Sequence, residues 1–314
     1  MATEAKKAIE GSGGAGVRAG IDFTAGLVGG VLECLSCHPL DTTKVAMQNA
    51  PASSRVGMVE TIVGIVRQRG VVGLYAGVQS PLAGLAAINA VLFASFSWGC
   101  SVVAREDQVV IPGELSLGQI VAAGALTGLP LTPIESVVDL LKIQLQARPE
   151  YGGFGDALRR LVVHHPRSVF QGMWATLLRD VPANGAYFGA YVGAKRVLLT
   201  AEEAAAEIES SDLPPVWKIL GAGGFGGSVF WAVALPFDSV KTIIQGQSLD
   251  PSTHTHKTYA SAVRYVYRTH GGLAGFFRGW QPTMLKSAPS NAVCFLGYEL
   301  TRKVLEKFIS GEGS

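Results

Sequence analysis

Charge is what this chain has least of. Only 16% of its 314 residues are Asp, Glu, Lys or Arg, whereas a soluble domain carries about 25%. That leaves too little polar surface to cover a water-soluble fold. The net charge of +2 and the lack of a basic tract interleaved with aromatics exclude a surface that tracks nucleic-acid phosphates. Cysteine is scarce: Cys34, Cys37, Cys100 and Cys294 all lie in apolar stretches, where small residues suit helix packing. A single Cys34-x-x-Cys37 followed by His38 does not make a metal site. The first 18 residues have neither the long apolar core of a secretory signal nor the arginine-rich pattern of a transit peptide. Any targeting information is therefore expected in the rest of the chain. No nucleophile–base constellation stands out, so an enzyme is not expected, nor is a cofactor.

Apolar residues and glycine are abundant instead. Hydrophobic residues make up 48% of the chain, with 39 glycines and a mean hydropathy of +0.30. This excludes disorder, and glycine-rich apolar helices pack closely in lipid. A spanning helix needs about 20 apolar residues. Stretches 78–104, 115–134 and 219–237 carry no charge, and 20–48, 172–199 and 279–308 are interrupted by a few charges. These include Glu33, Asp41, Lys44, Arg179, Asp180 and Lys286. Ionisable groups inside a span are costly and mark a water-lined functional site. The expectation is an all-α membrane protein with six transmembrane helices.

The chain repeats itself about every 100 residues. Ala25-Gly26-x-x-x-Gly30 recurs as Ala123-Gly124-x-x-x-Gly128 and Ala222-Gly223-x-x-x-Gly227. In that register Pro39, Val137 and Pro236 are equivalent, followed by Asp41, Asp139 and Asp238. Then come Lys44, Lys142 and Lys241, and finally Gln48, Gln146 and Gln245. A second motif ends each repeat's middle section with an aromatic, one residue and Gly, at Gly77, Gly172 and Gly279. Asn89, Asn184 and Asn291 also coincide. Internal repeats of this kind set the architecture: a polar segment 1–18, repeats at 19–108, 109–205 and 206–309, and a tail 310–314.

These motifs resemble the mitochondrial carrier family, whose signature is Pro-x-acid-x-x-base followed by Gln. The second copy departs from it, with Val137 in the proline's place and Pro130 and Pro133 earlier. The resemblance implies three pseudo-symmetric helix pairs around a central cavity that opens alternately to each side, with short amphipathic helices near 56–69, 154–163 and 258–270. In each repeat Asp and Lys lie three apart, on one helical face. The family assigns Asp41, Lys44, Asp139, Lys142, Asp238 and Lys241 to a matrix gate, braced by Gln48, Gln146 and Gln245. Purely structural bridges are the alternative reading. The opposite, cytoplasmic gate is depleted: Tyr298, Glu299 and Arg302 are complete, Tyr191 keeps only Lys195, and Phe96 has neither charge. A pair between Lys195 and Glu299 is about all it can make.

Basic loops, including Arg55, Arg67, Arg69, Arg148 and Arg264, fall on one side, and the acidic connection Glu202, Glu203, Glu207, Glu209 and Asp212 on the other. The positive-inside rule places the former in the matrix. His164, His165, His254, His256 and His270 in these loops read as solvated surface. The resemblance further implies the mitochondrial inner membrane, with the peroxisomal membrane as the alternative, bound cardiolipin, a monomer and no nucleic-acid partner.

Family members bind substrate on the even-numbered spans, at positions equivalent here to Gly84, Arg179 and Lys286. The pair Arg179-Asp180 suits an amino-acid-like substrate: a guanidinium fork for a carboxylate and an acid for an ammonium. Glu33 stands eleven residues before Lys44, within about 20° of the same helical face at 100° per residue, so it is expected to face the cavity; pairing with a neighbouring helix is the alternative. Asn89 and Trp231 complete the candidate set. Trp231, with Phe230 and Tyr187, reads either as a wall for an acyl chain or methylammonium or as packing. Stretches 176–188, 230–238 and 290–299 resemble carnitine/acylcarnitine carriers, and 80–93 resembles basic amino-acid carriers, although Ile88 stands where ornithine carriers have Glu. The expected function is antiport of carnitine and acylcarnitines, or of ornithine, arginine and lysine. A non-transporting adaptor of the same fold is the third reading.

Overall fold

In the computed structural model, residues 12–50, 57–105, 115–148, 151–200, 203 and 215–310 are described. The C-terminal tail 311–314, Arg55 and, except for Glu203, the acidic connection 202–212 lie outside them. Six long helices dominate: α1 Ser12–Asn49, α3 Gln79–Val103, α4 Leu117–Ala147, α6 Met173–Leu198, α7 Val216–Gln245 and α9 Trp280–Ser310. Short helices α2 Met58–Arg69, α5 Phe154–Arg159 and α8 Tyr259–Thr269 lie between the members of each pair. Among the described residues there is no β-strand. α1 begins at Ser12, inside the expected polar segment 1–18.

Local chemistry sets the boundaries. α4 starts with a capping box: Ser116 Oγ accepts from Gln119 N at 3.3 Å, and Gln119 Oε1 accepts from Ser116 N at 2.9 Å, satisfying amides that the first turn leaves without partners. Gly77, Gly172 and Gly279, the closing glycines of the second motif, have φ of 78°, 79° and 80°. Only glycine adopts this left-handed turn without strain, and at all three sites it redirects the chain into the even-numbered span.

The long helices form a closed ring in which α1 packs on α9 and α3, α3 on α4, α4 on α6, α6 on α7 and α7 on α9. The glycine motifs set how closely they approach. A Cβ on Gly128 would lie 2.8 Å from Val181 N, and one on Gly29 would collide with the Cys294 carbonyl oxygen. The molecule is inverted relative to a soluble protein. Phe93, Trp98, Trp174, Trp217 and Trp280 are exposed on the outside, while Lys44, Arg179, Asp180 and Lys241 are buried. That is the pattern of helices in lipid around a polar interior. Four of the long helices are apolar enough to span on composition alone. The other two, α6 and α9, carry the charges Arg179, Asp180 and Lys286, which the ring turns inward. Despite Val137, α4 runs unbroken through Pro130 and Pro133.

Candidate functional site

The conserved-offset charges converge at the C-terminal ends of α1, α4 and α7. Lys142 Nζ donates to Asp41 Oδ2 at 2.7 Å, Lys44 pairs with Asp238 Oδ2 at 2.7 Å, and Lys241 pairs with Asp139. Each pair joins two repeats, so the three close a cycle. The glutamines one turn on run in a second cycle. Gln48 Nε2 donates to Asp238 Oδ2 at 3.3 Å, Gln146 Nε2 to Thr42 Oγ1 at 3.1 Å, and Gln245 Nε2 to the Ser136 carbonyl at 3.1 Å. Such buried pairs hold only while geometry and hydrogen bonds offset the desolvation of both charges. The closure is therefore sensitive to any change that takes one partner away.

Two cations from the even spans enter the same cluster. Lys286 on α9 bonds the second oxygen of Asp41. Arg179 on α6, 4% exposed, reaches four carboxylates: Asp180 Oδ1 at 2.7 Å, Glu135 Oε1 at 2.6 Å, Asp238 Oδ1 at 3.2 Å and Asp139 Oδ2 at 3.3 Å. The fork expected to await a substrate carboxylate is thus filled by the protein's own acids in this state. Asp180 is fully buried and accepts in addition from Thr132 Oγ1 at 3.0 Å. Within the ring lies a cavity of about 190 Å³ lined by Arg179, Glu135, Lys286 and Trp231 together with the ring residues. Trp231 presents its ring to two ammonium groups, Lys44 Nζ at 3.8 Å and Lys286 Nζ at 5.1 Å from the centroid. At these distances a Trp face attracts a cation. From Trp231 an aromatic series runs away from the ring through Phe230 at 5.2 Å, Tyr187 at 6.4 Å and Tyr191 at 6.1 Å between successive centroids.

This architecture is matched by sequence. A family model described as mitochondrial carrier protein covers residues 16–105, 113–202 and 212–308. The chain belongs to the mitochondrial carrier family. The mitochondrial carnitine carrier of Saccharomyces cerevisiae is 32% identical over 295 residues, covering 91% of this chain and 88% of that protein. The mitochondrial carnitine/acylcarnitine carrier-like protein of Arabidopsis thaliana is 31% identical, covering 90% and 98%. The human mitochondrial carnitine/acylcarnitine carrier protein is 32% identical, covering 90% and 94%. This mitochondrial carrier is a multi-pass membrane transporter, not an enzyme.

The remaining candidate residues of the carrier are dispersed. Glu33 is half-buried on α1, beside Ser290 and Cys294 of α9 and within electrostatic reach of Lys286 and of Tyr187 on α6. Asn89 is half-buried on α3, away from the cavity within the ring. At the far end, Lys195 Nζ sits 5.4 Å over the Tyr191 ring. Tyr298, Glu299 and Arg302 are all partly exposed on α9. The loop histidines are less solvated than expected. Only His164 is exposed, His254 Nε2 donates to the Ser248 carbonyl at 2.8 Å, and His256 packs at a tilt against Tyr265 with centroids 4.6 Å apart.

Glu135 is the functional residue that the repeat register passes over. Its equivalents are Cys37 and Ala234, so it belongs to no symmetric set. A signal for it exists: Pro133-x-Glu135 reproduces Pro39-x-Asp41 and Pro236-x-Asp238 one turn early. The second repeat thus carries two inward acids, Glu135 and Asp139, four residues apart on one face.

Proposed function

We propose that the carrier exchanges a small molecule bearing a carboxylate and a cationic nitrogen, with carnitine and its acyl esters as the first reading. Transport is by alternating access across the mitochondrial inner membrane. In this reading the Asp–Lys cycle is the matrix gate, shut here, and Tyr191, Lys195, Tyr298, Glu299 and Arg302 belong to the cytoplasmic gate. The observation that carries the reading is the composition of the cavity floor, where the Arg179 fork and the Trp231 face stand side by side. The fork suits a carboxylate, and the indole suits a quaternary ammonium. The names of the yeast, plant and human relatives point the same way. A volume of about 190 Å³ is smaller than the ~300 Å³ at the low end for drug-sized ligands. An acyl chain would therefore extend along the aromatic series toward Tyr191.

A second reading, exchange of basic amino acids, is favoured by charge. Counting Glu33, six carboxylates (Glu33, Asp41, Glu135, Asp139, Asp180 and Asp238) face five cations (Lys44, Lys142, Arg179, Lys241 and Lys286). The surplus acid favours a substrate with a second positive charge.

Uptake into proteoliposomes preloaded with unlabelled substrate separates the two. Labelled carnitine, arginine, lysine and ornithine are compared in parallel. Exchange of carnitine supports the first reading, and exchange of the basic amino acids alone replaces it with the second. Uptake of none by folded protein overturns both and favours a non-transporting adaptor. Arg179→Lys, which keeps the charge but loses the planar fork, is expected to lower exchange at least tenfold.

A further inference from the structure

The crowding at Arg179 raises the question of how a substrate carboxylate gains access to a guanidinium that already holds four acids. The four are not equivalent. Asp139 is also paired with Lys241, and Asp238 with Lys44; removing either from Arg179 leaves it inside the ring. Asp180 is fully buried, adjacent in the chain, and held by Thr132 Oγ1 as well. Glu135 has no such second hold. Among the described residues Arg179 is its one hydrogen-bond and ion-pair partner, at 2.6 Å. It is also the most accessible of the four, with 23% of its side chain exposed against 21%, 8% and 0% for Asp139, Asp238 and Asp180. It lines the cavity itself.

We infer that Glu135 is an internal stand-in for the substrate carboxylate, occupying the Arg179 fork in the empty carrier and giving way when substrate arrives. The inference rests on the carboxylate-bearing substrate of the preceding reading. Its physical basis is the cost of taking an acceptor away from a buried guanidinium N–H. Arg179 Nε and Nη1 donate to Asp180, Asp139 and Asp238, and Nη2 donates to Glu135. Glu135 supplies the Nη2 acceptor until a substrate carboxylate does. The exchange is of one charge-assisted hydrogen bond for another, which makes the empty and loaded states similar in energy. Each incoming substrate must displace Glu135 from Arg179, and the displaced carboxylate turns into the cavity toward Lys241 of α7, whose charge already acts on it. Glu135 is a specificity-determining residue in this view, because a cation lacking a carboxylate cannot displace it from Arg179.

The test compares carnitine with choline, which has the same quaternary ammonium and no carboxylate, for binding and exchange by the wild-type chain and by Glu135→Gln. The glutamine keeps the volume but is a weaker acceptor and carries no charge. The expected result is that Glu135→Gln binds carnitine about tenfold or more tightly, with a lower KM, while choline binding is unchanged. Glu135→Asp, which retains the charge at shorter reach, is expected to fall between the two, and a thermal midpoint measured on each variant shows that it is folded. Weaker binding of both ligands to Glu135→Gln would mean that Glu135 holds the substrate's ammonium, and equal affinity of wild type and variant would mean that it is a structural bridge; either overturns the inference. A wild type that binds no carnitine overturns the substrate reading instead, so the two failures are distinct.

Discussion

Asp41 bears more of the closure than its ring position alone implies. Oδ2 accepts from Lys142 at 2.7 Å and Oδ1 from Lys286, so Asp41→Asn removes the counter-ion of two ammonium groups at once. Both lysines keep only 14% of their side chains exposed. Breaking a buried pair by deleting one partner costs about 3–5 kcal/mol. With water able to reach these groups through the cavity, the lower half of that range applies. Lys142→Met is the control. It removes one charge but leaves Asp41 bonded to Lys286, so its cost is that of one charge-assisted hydrogen bond, about 1.5–3 kcal/mol. Asp41→Asn is therefore expected to lower the thermal midpoint of the detergent-purified carrier by about one and a half times as much as Lys142→Met. A loss of about 3 kcal/mol also corresponds to roughly a hundredfold shift from the closed toward the open arrangement. That shift is measurable as faster labelling of a cysteine placed just beyond the glutamine cycle, on the side that the ring closes. A Lys142→Met variant as unstable as Asp41→Asn, or more so, would refute the double pairing of Asp41.

Two further outcomes follow from other parts of the fold. Gly29→Ala is expected to destabilise the carrier by about 1–3 kcal/mol, the range for overpacking, because its Cβ would strike the Cys294 backbone carbonyl, whereas Gly26→Ala, with nothing within 4 Å of its Cβ, should be neutral in the same thermal scan. On the surface between α7 and α9, burial pushes the His256 and His270 imidazoles below their ordinary value, and Arg278 adds to the effect at His270. A depressed histidine is protonated more readily in the unfolded chain, so its stabilising contribution is complete above about pH 6.5 and is lost as pH falls below that value. The thermal midpoint should drop between pH 7.5 and 5.5, and the double variant His256→Gln/His270→Gln should flatten that drop; an unchanged slope would remove both residues from the account.

Much of this molecule can be read from its sequence because it is written three times. The offsets that relate Asp41, Asp139 and Asp238 also place Lys44, Lys142 and Lys241, and the structure joins all six in one cycle. The left-handed turns at Gly77, Gly172 and Gly279 are legible for the same reason. What recurrence cannot supply is which group from one repeat answers a group from another. Arg179 looks like an open fork in the sequence, and only the packing of α6 against α4 and α7 reveals the acids that fill it. Glu135 is hidden because the register assigns the acid of its repeat to Asp139. Glu33 reaches Ser290 and Cys294 of α9 and lies within electrostatic range of Lys286 and, on α6, Tyr187, neighbours that the angle on its own helix cannot name.

In the proposed reading, the asymmetry these residues share is tied to the gate. At the position where α6 has Arg179 and α9 has Lys286, α3 has Gly84, whose Cβ would meet the Val138 side chain. Two cations therefore serve three ring acids: Lys286 takes Asp41, and Arg179 takes both Asp139 and Asp238. The groups best suited to a substrate are thus the same groups that reinforce the closed ring from above. A substrate that draws Arg179 toward its own carboxylate loosens two of the three acids with one contact, whereas one that engages Lys286 loosens the third. Binding and unlocking need no long-range relay here, because both act on the same two side chains, and a ligand can shift the equilibrium only through such differential contact. A perfectly threefold cluster would lack this property, since every acid would keep its own reinforcement whichever one the substrate displaced.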